Sequence, residues 1–414
     1  MLILKEVYYM LKILKNHDFR HIFFGRLISN CGDSIYTIAL SWYVLSTTHN
    51  SFWVGFLDFL IFIPNVFAFL FGKIIDATNK KKLLVLLEMI QGTAVFGIII
   101  AMLINNKIIT LPLIFLCVFL ASTAGLNTYT VQDSLIPKIV PRFQLPQSEM
   151  YMSVAYNGSD YVFNAITGFL INILSYPILM TIDLVSFIIS ALSFSSVRYD
   201  HDKPFFEKDV SFHFHPVQYF KDGMHLISQS SVIIALCIGD SLINFLFGGL
   251  NVYELLIAKS IGGAPFYGLM TAASSIGLLL GATVVSNLLL KKFKLGEIYC
   301  VSHLIYGLGV MIIIFTTSSK VATLIGWGVA FAFLGIGQTM CKPILQTELP
   351  QKQMGEALSF YYTITVTTLP LGSLLFGYIA KFINWKYFII LFGVVNIVMA
   401  VGFLFNKRLV KYSV

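Results

Sequence analysis

Two copies of Gly-Asp-Ser, at Gly32–Ser34 and Gly239–Ser241, lie 207 positions apart inside apolar runs of a 414-residue chain. A carboxylate at the centre of a bilayer costs about 2.5–3.5 kcal/mol on insertion scales, so such a residue faces a cavity or a partner. An acid at that depth can take a proton from one side and release it to the other, or hold a cationic group. Asp33 and Asp240 are therefore the first candidates for proton or substrate binding. Asp160 and Asp183 lie deep in other apolar runs and join them. Asp58, Glu88 and Glu254 fall within two turns of an expected interface, where headgroups or water would reach them. Arg26 is the one basic residue well inside an apolar segment. It precedes Asp33 by seven residues, about 10 Å along a helix axis, so water rather than a direct ion pair is the expected link. The competing reading of each acid is structural: a protonated aspartate, capped by Ser34 or Ser241, that pins two helices.

Other chemistries find little support. Intramembrane aspartyl proteases also use two membrane aspartates, but they need Gly-x-Gly-Asp, and the first glycine is here Asn30 or Cys237. No G-x-x-x-x-G-K-[ST] phosphate loop and no HExxH occurs, so neither nucleotide hydrolysis nor zinc chemistry is expected. Cys31, Cys117, Cys237, Cys300 and Cys341 are scattered through apolar runs without CxxC spacing and read as packing residues. His201, His213, His215 and His225 cluster in one polar stretch, but their spacing is a weak metal signal. No cofactor, no metal and no enzymatic activity are expected.

The elements that must position these acids are membrane helices. Hydrophobic residues make up 57% of the chain and charged ones 12%, against about a quarter charged in soluble domains. Twelve apolar segments are long enough to span about 30 Å of hydrocarbon: 20–47, 52–75, 83–104, 110–136, 147–173, 175–197, 229–258, 266–290, 296–317, 320–341, 354–383 and 386–406. The tight turns at Ser175 and near Trp385 are the weakest boundaries. With the N-terminus inside, 23 of the 28 lysines and arginines fall on the cytoplasmic side, as the positive-inside rule requires. Both termini are then cytoplasmic, and the net charge of +8 reports topology rather than nucleic-acid binding. No cleavable signal peptide is expected, since Met1–Asp18 is basic and broken by charges.

The polar stretch Arg198–Gln229 divides the chain into two six-helix halves, 1–197 and 229–414, joined by a central loop at 198–228. Its second part, "PVQYFKDGMHLIS", is amphipathic and predicts a helix at the inner membrane surface. Asp33 and Asp240 occupy equivalent helices of the two halves. Parallel six-helix repeats are a transporter architecture, with the substrate path along the pseudo-two-fold axis. The fold class is therefore all-α integral membrane, with twelve transmembrane helices in two pseudo-symmetric halves.

The turn after the second segment, "GKIIDATNKKK" (Gly72–Lys82), resembles the G-x-x-x-D-R-x-x-R/K loop of the major facilitator superfamily. Gly72, Asp76 and Lys80 match, Lys81 and Lys82 follow, and Ala77 stands where the arginine is expected. Asp76 is placed to cap the next helix. The resemblance implies that this loop holds the cytoplasmic helix ends together in the outward-open state, with Asp133 as its acidic partner. A relic remains in the second half as Gly281 and Lys291–Lys292. Further stretches resemble the macrolide-efflux and enterobactin-exporter-like branch: "FRHIFFGRLISNCGDSIYTIALSWYVL", "IPNVFAFLFGKIID", "MTIDLVSFIISAL", "YFKDGMHLI" and "LPLGSLLFGYIAKFINW". The helix-five antiporter motif is reduced to "NAITGFLIN" (Asn164–Asn172), which keeps Gly168 and lacks the proline.

Together these features predict a secondary active transporter of the bacterial cytoplasmic membrane that exports a small amphipathic compound (drug, macrolide or siderophore-like) in exchange for protons. Rocking of the halves would alternate access, with the protein acting as a monomer. A lipid translocase on the same fold is the alternative.

Overall fold

The computed structural model describes residues 13–68, 71, 75, 78–104, 106–198, 216–349 and 354–412, and among them every regular element is helical. In chain order the helices are α1 (His17–Thr48), α2 (Ser51–Phe62), α3 (Lys80–Leu103), α4 (Lys107–Ile139), α5 (Leu145–Ser153), α6 (Ser159–Leu170), α7 (Tyr176–Ser195), α8 (Pro216–Ser228), α9 (Ser231–Ile261) and α10 (Gly263–Leu280). There follow α11 (Ser286–Leu289), α12 (Leu295–Thr316), α13 (Lys320–Glu348), α14 (Met354–Ile379), α15 (Trp385–Phe405) and α16 (Lys407–Val410). A 3-10 turn, Ile63–Phe67, extends α2, a second, Arg142–Gln144, precedes α5, and single π-turns at Val154–Gly158 and Gly281–Val285 interrupt α5–α6 and α10–α11.

Short polar side chains set several helix starts by accepting otherwise unpaired amide hydrogens. Asn106 accepts from Ile108 N at 3.0 Å, Ser230 from Val232 N at 3.2 Å and Asn384 from Lys386 N at 3.0 Å. The last of these starts α15, and Ser175 precedes α7, so the chain does break at both of the weakest boundaries. The cap of α3 is Asn79, whose side chain accepts from Lys82 N at 3.1 Å; it fills the role expected of Asp76. Gly72 and Asp76 themselves lie outside the described residues, as do His201, His213 and His215. The amphipathic stretch after them is a helix, α8, over the thirteen residues of "PVQYFKDGMHLIS".

Nine of the described helices are long and apolar enough to cross a bilayer. The remaining expected spans look different for physical reasons. The helix α1 has ample length, but Ser29, Asn30, Asp33 and Ser34 dilute its hydropathy. The expected span 147–173 is α5 and α6 around a π-turn, and α2 is described only as far as its 3-10 extension.

The chain forms two compact units, Met1–Tyr43 with Ile63–Phe212, and Val44–Phe62 with His213–Val414. In the first, Phe19, Ile22, Leu84, Val131, Ile136, Met152 and Phe194 make a buried core. In the second, Leu236, Cys300, Met340, Ile344 and Phe360 do the same. The residues Val44–Phe62 pack in the second unit through small side chains on α2 and α14. Ser51 Oγ donates to Gly377 O at 3.0 Å, and a β-carbon on Gly55 would collide with the Ser373 carbonyl. The packing of α9 on α14 is equally close: a β-carbon at Gly372 would overlap Phe245 O, and one at Gly248 would overlap Leu369 O. Small residues that let backbones approach are the usual device where lipid supplies no hydrophobic drive between helices.

Candidate functional site

Four of the five acidic and basic candidates meet in the first unit. Arg26 is fully buried on α1, and its guanidinium donates to Asn30 Oδ1 at 3.0 Å and to Asp33 Oδ2 at 3.2 Å. The direct Arg26–Asp33 pair corrects the expectation of a water link. Residues seven apart share one helix face, and the arginine side chain runs along the axis far enough to cover two turns. The Tyr129 ring of α4 lies under the guanidinium, 3.8 Å from Cζ to centroid, so a cation–π contact holds it from a third side. Asn30 then extends the network. Its Nδ2 donates to Tyr156 O at 2.8 Å and to Asp160 Oδ1 at 3.1 Å, while Tyr129 OH donates to its Oδ1 at 2.9 Å.

Ser34 was expected to cap Asp33. It instead donates to Asp160 Oδ1 at 2.5 Å, joining α1 to α6. The carbonyl of Tyr156 is available to Asn30 because it lies in the π-turn, where the regular hydrogen-bond ladder is displaced.

Glu88 and Asp183 complete this cluster from α3 and α7. Both are fully buried, and none of their carboxyl oxygens makes a hydrogen bond of standard geometry. The Ser29 and Ser190 hydroxyls stand beside Glu88. Arg26 interacts electrostatically with Asp33 and Glu88, and Asp183 with Asp33 and Glu88. The expectation that headgroups or water reach Asp58, Glu88 and Glu254 is therefore corrected: they are 8%, 0% and 7% exposed, because their side chains turn into packed helices.

The glycine before Asp33 has a definite function here. A β-carbon at Gly32 would overlap Ser186 Oγ and stand 2.5 Å from Asp183 Oδ1. Only a bare backbone lets α7 bring those polar groups against α1.

Asp240, the second copy, sits in the other unit with different partners. Tyr299 OH of α12 donates to its Oδ1 at 2.9 Å, and Tyr361 OH of α14 donates to its Oδ2 at 2.6 Å. Cys341 Sγ of α13 donates to the same Oδ2 at 3.3 Å. All five cysteines are free, but Cys341 does more than the packing its apolar surroundings suggest: it is a hydrogen-bond donor. No basic residue pairs with Asp240: the ion pairs among the described residues are His17–Asp18 and Arg26–Asp33. A cavity of about 270 Å³ opens at Asp240 and is lined further by Asn244, His303, Gln338, Lys342 and Tyr362. At Gly239 the helix in the slot is α15, and a β-carbon there would meet Phe403 and Met399. Both Gly-Asp copies thus admit a neighbouring helix at the glycine, polar in one unit and apolar in the other.

The loop residues are only partly placed. Lys80 is buried, its Nζ donating to Ile75 O at 3.0 Å, and Lys81 is half-buried. Asp133 is exposed on α4 and accepts from Tyr156 OH at 3.2 Å. Nothing along the chain marks Asn30, Tyr129, Tyr299 or Tyr361 as members of these sites. Tyrosines in an apolar run look the same whether they face lipid or an acid.

The profile of the transmembrane secretion effector family of major facilitator transporters matches residues 10–413. The MFS-type transporter YkuC of Bacillus subtilis (strain 168) is 24% identical over 418 residues, covering 97% of this chain and 94% of its own. Macrolide efflux protein A of Streptococcus pyogenes is 21% identical over 397 residues, covering 92% and 94%. Among solved structures, a bacterial homologue of the iron transporter ferroportin in an inward-facing state superposes with a TM-score of 0.74 at 15% identity, over 95% of this chain and 98% of that one.

Proposed function

The chain belongs to the transmembrane secretion effector family of the major facilitator superfamily and is a multi-pass protein of the cell membrane, and on that premise we propose that it is a proton-coupled exporter of a small amphipathic compound. In this reading twelve helices form two six-helix halves with both termini in the cytoplasm. The halves, 1–197 and 229–414 about the 198–228 loop, alternate access by rocking, with the 72–82 turn and Asp133 gating the inner side. The protein acts as a monomer. The macrolide efflux relative supports the direction and the substrate class.

The observation that carries proton coupling is the charge imbalance of the buried cluster. Four carboxyls lie in one cluster with one guanidinium: Arg26 interacts with Asp33, Glu88 and Asp160, and Asp183 with Asp33 and Glu88. Uncompensated charges buried in a low-dielectric interior each cost several kcal/mol, so the cluster holds protons, and its stock changes whenever Arg26 and Asp33 separate. Asp33, half-exposed to the unit's surface with a side-chain exposure of 30%, is the member through which protons exchange. One charge moved across 100 mV is worth about 2.3 kcal/mol, enough for one or two protons to drive a modest gradient.

The test is export from everted vesicles under an imposed pH gradient. Asp33→Asn is expected to abolish gradient-driven accumulation while leaving the protein in the membrane. Unchanged transport with unchanged pH dependence would remove Asp33 from the mechanism. One observation favours the lipid-translocase alternative: an apolar groove of about 460 Å³ runs between α3 and α7, lined by Met89, Phe96, Ile188 and Leu192 with Glu88 among them. Movement of headgroup-labelled lipid that ignores the proton gradient would favour that reading. Protease chemistry has no support from the transporter relatives.

A further inference from the structure

We propose that the cavity at Asp240 binds the ammonium group of an organic amine, with the carboxylate meeting the charge and the exposed ring of Tyr362 meeting its alkyl shell. The proposal deepens the export reading by naming a substrate chemistry and a place for it, and it rests on that reading only for what happens after binding.

Four helices aim polar groups at one space. The helix α9 contributes Asp240 and Asn244, which are four residues apart on one face. The helix α12 contributes Tyr299 and His303 at the same spacing, α13 contributes Gln338, Cys341 and Lys342, and α14 contributes Tyr361, Tyr362 and Thr365. A small cavity with a few convergent polar groups is the ordinary form of a ligand site.

The charge pattern selects the ligand. The equivalent acid in the first unit is matched by Arg26, whereas Asp240 has only phenol and thiol donors. Such donors orient a carboxylate without cancelling its charge. A cation entering the cavity would find a carboxylate already held in position, with the exposed Tyr362 ring beside it, and aromatic faces attract organic ammonium groups. Lys342 is exposed where it lines the same cavity and makes no ion pair with Asp240. A bare metal ion is a poorer fit, because no described group of His, Cys, Asp and Glu has the geometry to hold one.

His303 adds an unsatisfied polar side chain behind the wall. It lies in the cavity wall at 2% exposure, with the Tyr299 ring edge-on at 4.7 Å. Neither of its ring nitrogens has a hydrogen-bond partner. Buried polar atoms are rarely left so. The size limits the occupant: about 270 Å³ suits a headgroup, with the rest of an amphipathic molecule extending out of it.

The probe is benzyltrimethylammonium, compared with its uncharged carbon isostere neopentylbenzene, titrated calorimetrically into the purified full-length protein in nanodiscs. The expected result is saturable binding of the cation at least tenfold tighter than the isostere. Asp240→Asn is expected to remove that preference, and Glu297→Gln, which takes a carboxylate from the same helix as Tyr299 but outside the cavity, to leave it within twofold. Equal affinity for cation and isostere, or a preference that survives Asp240→Asn, overturns the proposal. A second measurement needs no variant. Saturating benzyltrimethylammonium is expected to slow N-ethylmaleimide modification of Cys341, read peptide by peptide in a mass spectrometer, and to leave Cys117 unchanged. Undiminished labelling of Cys341 also overturns the proposal. Both readouts are made without a proton gradient, so binding that holds while gradient-driven export fails sinks only the coupling, and the converse sinks only this site.

Discussion

The Arg26–Asp33 pair allows a quantitative test through a double-mutant cycle of Arg26→Met, Asp33→Asn and the two combined. At 3.2 Å and an effective dielectric near 20, the Coulomb attraction is about 5 kcal/mol. The carboxylate is 30% exposed, so water screens part of this, and a coupling of about 2–3 kcal/mol is expected to survive. The singles should be unequal. Asp33→Asn removes the one carboxylate in direct contact with a fully buried guanidinium, leaving it Asn30, the Tyr129 face and the more distant Glu88, and breaking a buried pair in that way costs about 3–5 kcal/mol. Arg26→Met leaves a carboxylate that water can reach, and its cost should be the smaller. The measurement is equilibrium unfolding of each protein in mixed micelles, followed by loss of helicity. The reference is the same transition in all four proteins, so errors common to them cancel. Additivity within about 0.5 kcal/mol, the margin seen for independent sites, would show that the pair carries no coupling and that the cluster is not organised around Arg26.

Two further substitutions test the packing. Gly32→Ala places a methyl group on Ser186 and Asp183 and should destabilise the first unit by about 1–3 kcal/mol, with partial recovery on adding Ser186→Gly; Gly239→Ala, which meets the movable Phe403 and Met399 side chains, should cost less in the same thermal-aggregation assay of a fluorescent fusion. Asn79→Ala removes the cap of α3 and should lower stability by about 1 kcal/mol, readable as faster amide hydrogen exchange confined to the first turn after Asn79.

The sequence alone carried the helical architecture well, because apolar runs and flanking lysines report membrane crossing directly. It also singled out Arg26, Asp33, Asp160 and Asp183, since a charge in an apolar run stands out. What it lacked was direction. Glu88 lies eight residues into α3, close enough to an expected interface to look wet, yet its face of the helix points at Arg26. Ser34 follows Asp33 in sequence but serves Asp160, because adjacent residues on a helix diverge by about 100°. Tyr299, Cys341 and Tyr361 come from three helices and have no shared pattern along the chain. Only their convergence on Asp240 distinguishes them from side chains that face lipid.

The π-turn at Val154–Gly158 has a consequence for motion. It holds one residue more than an α-turn would, and the Tyr156 carbonyl it displaces is the one that receives Asn30. Were that extra residue to pass further along the helix, beyond Asp160, the intervening segment would rotate by about 100° and advance about 1.5 Å. Asp160 would swing off Ser34 and Asn30 while α5 and the far end of α6 kept their places. A single helix can thus engage or release an acid by migration of a ladder defect, with no rigid-body movement of its neighbours. Cysteine crosslinking separates the two descriptions: a disulfide between residues substituted at Ser34 and Asp160 should form in one state of the cycle and fail in the other, and uniform crosslinking throughout would mean that the register stays fixed.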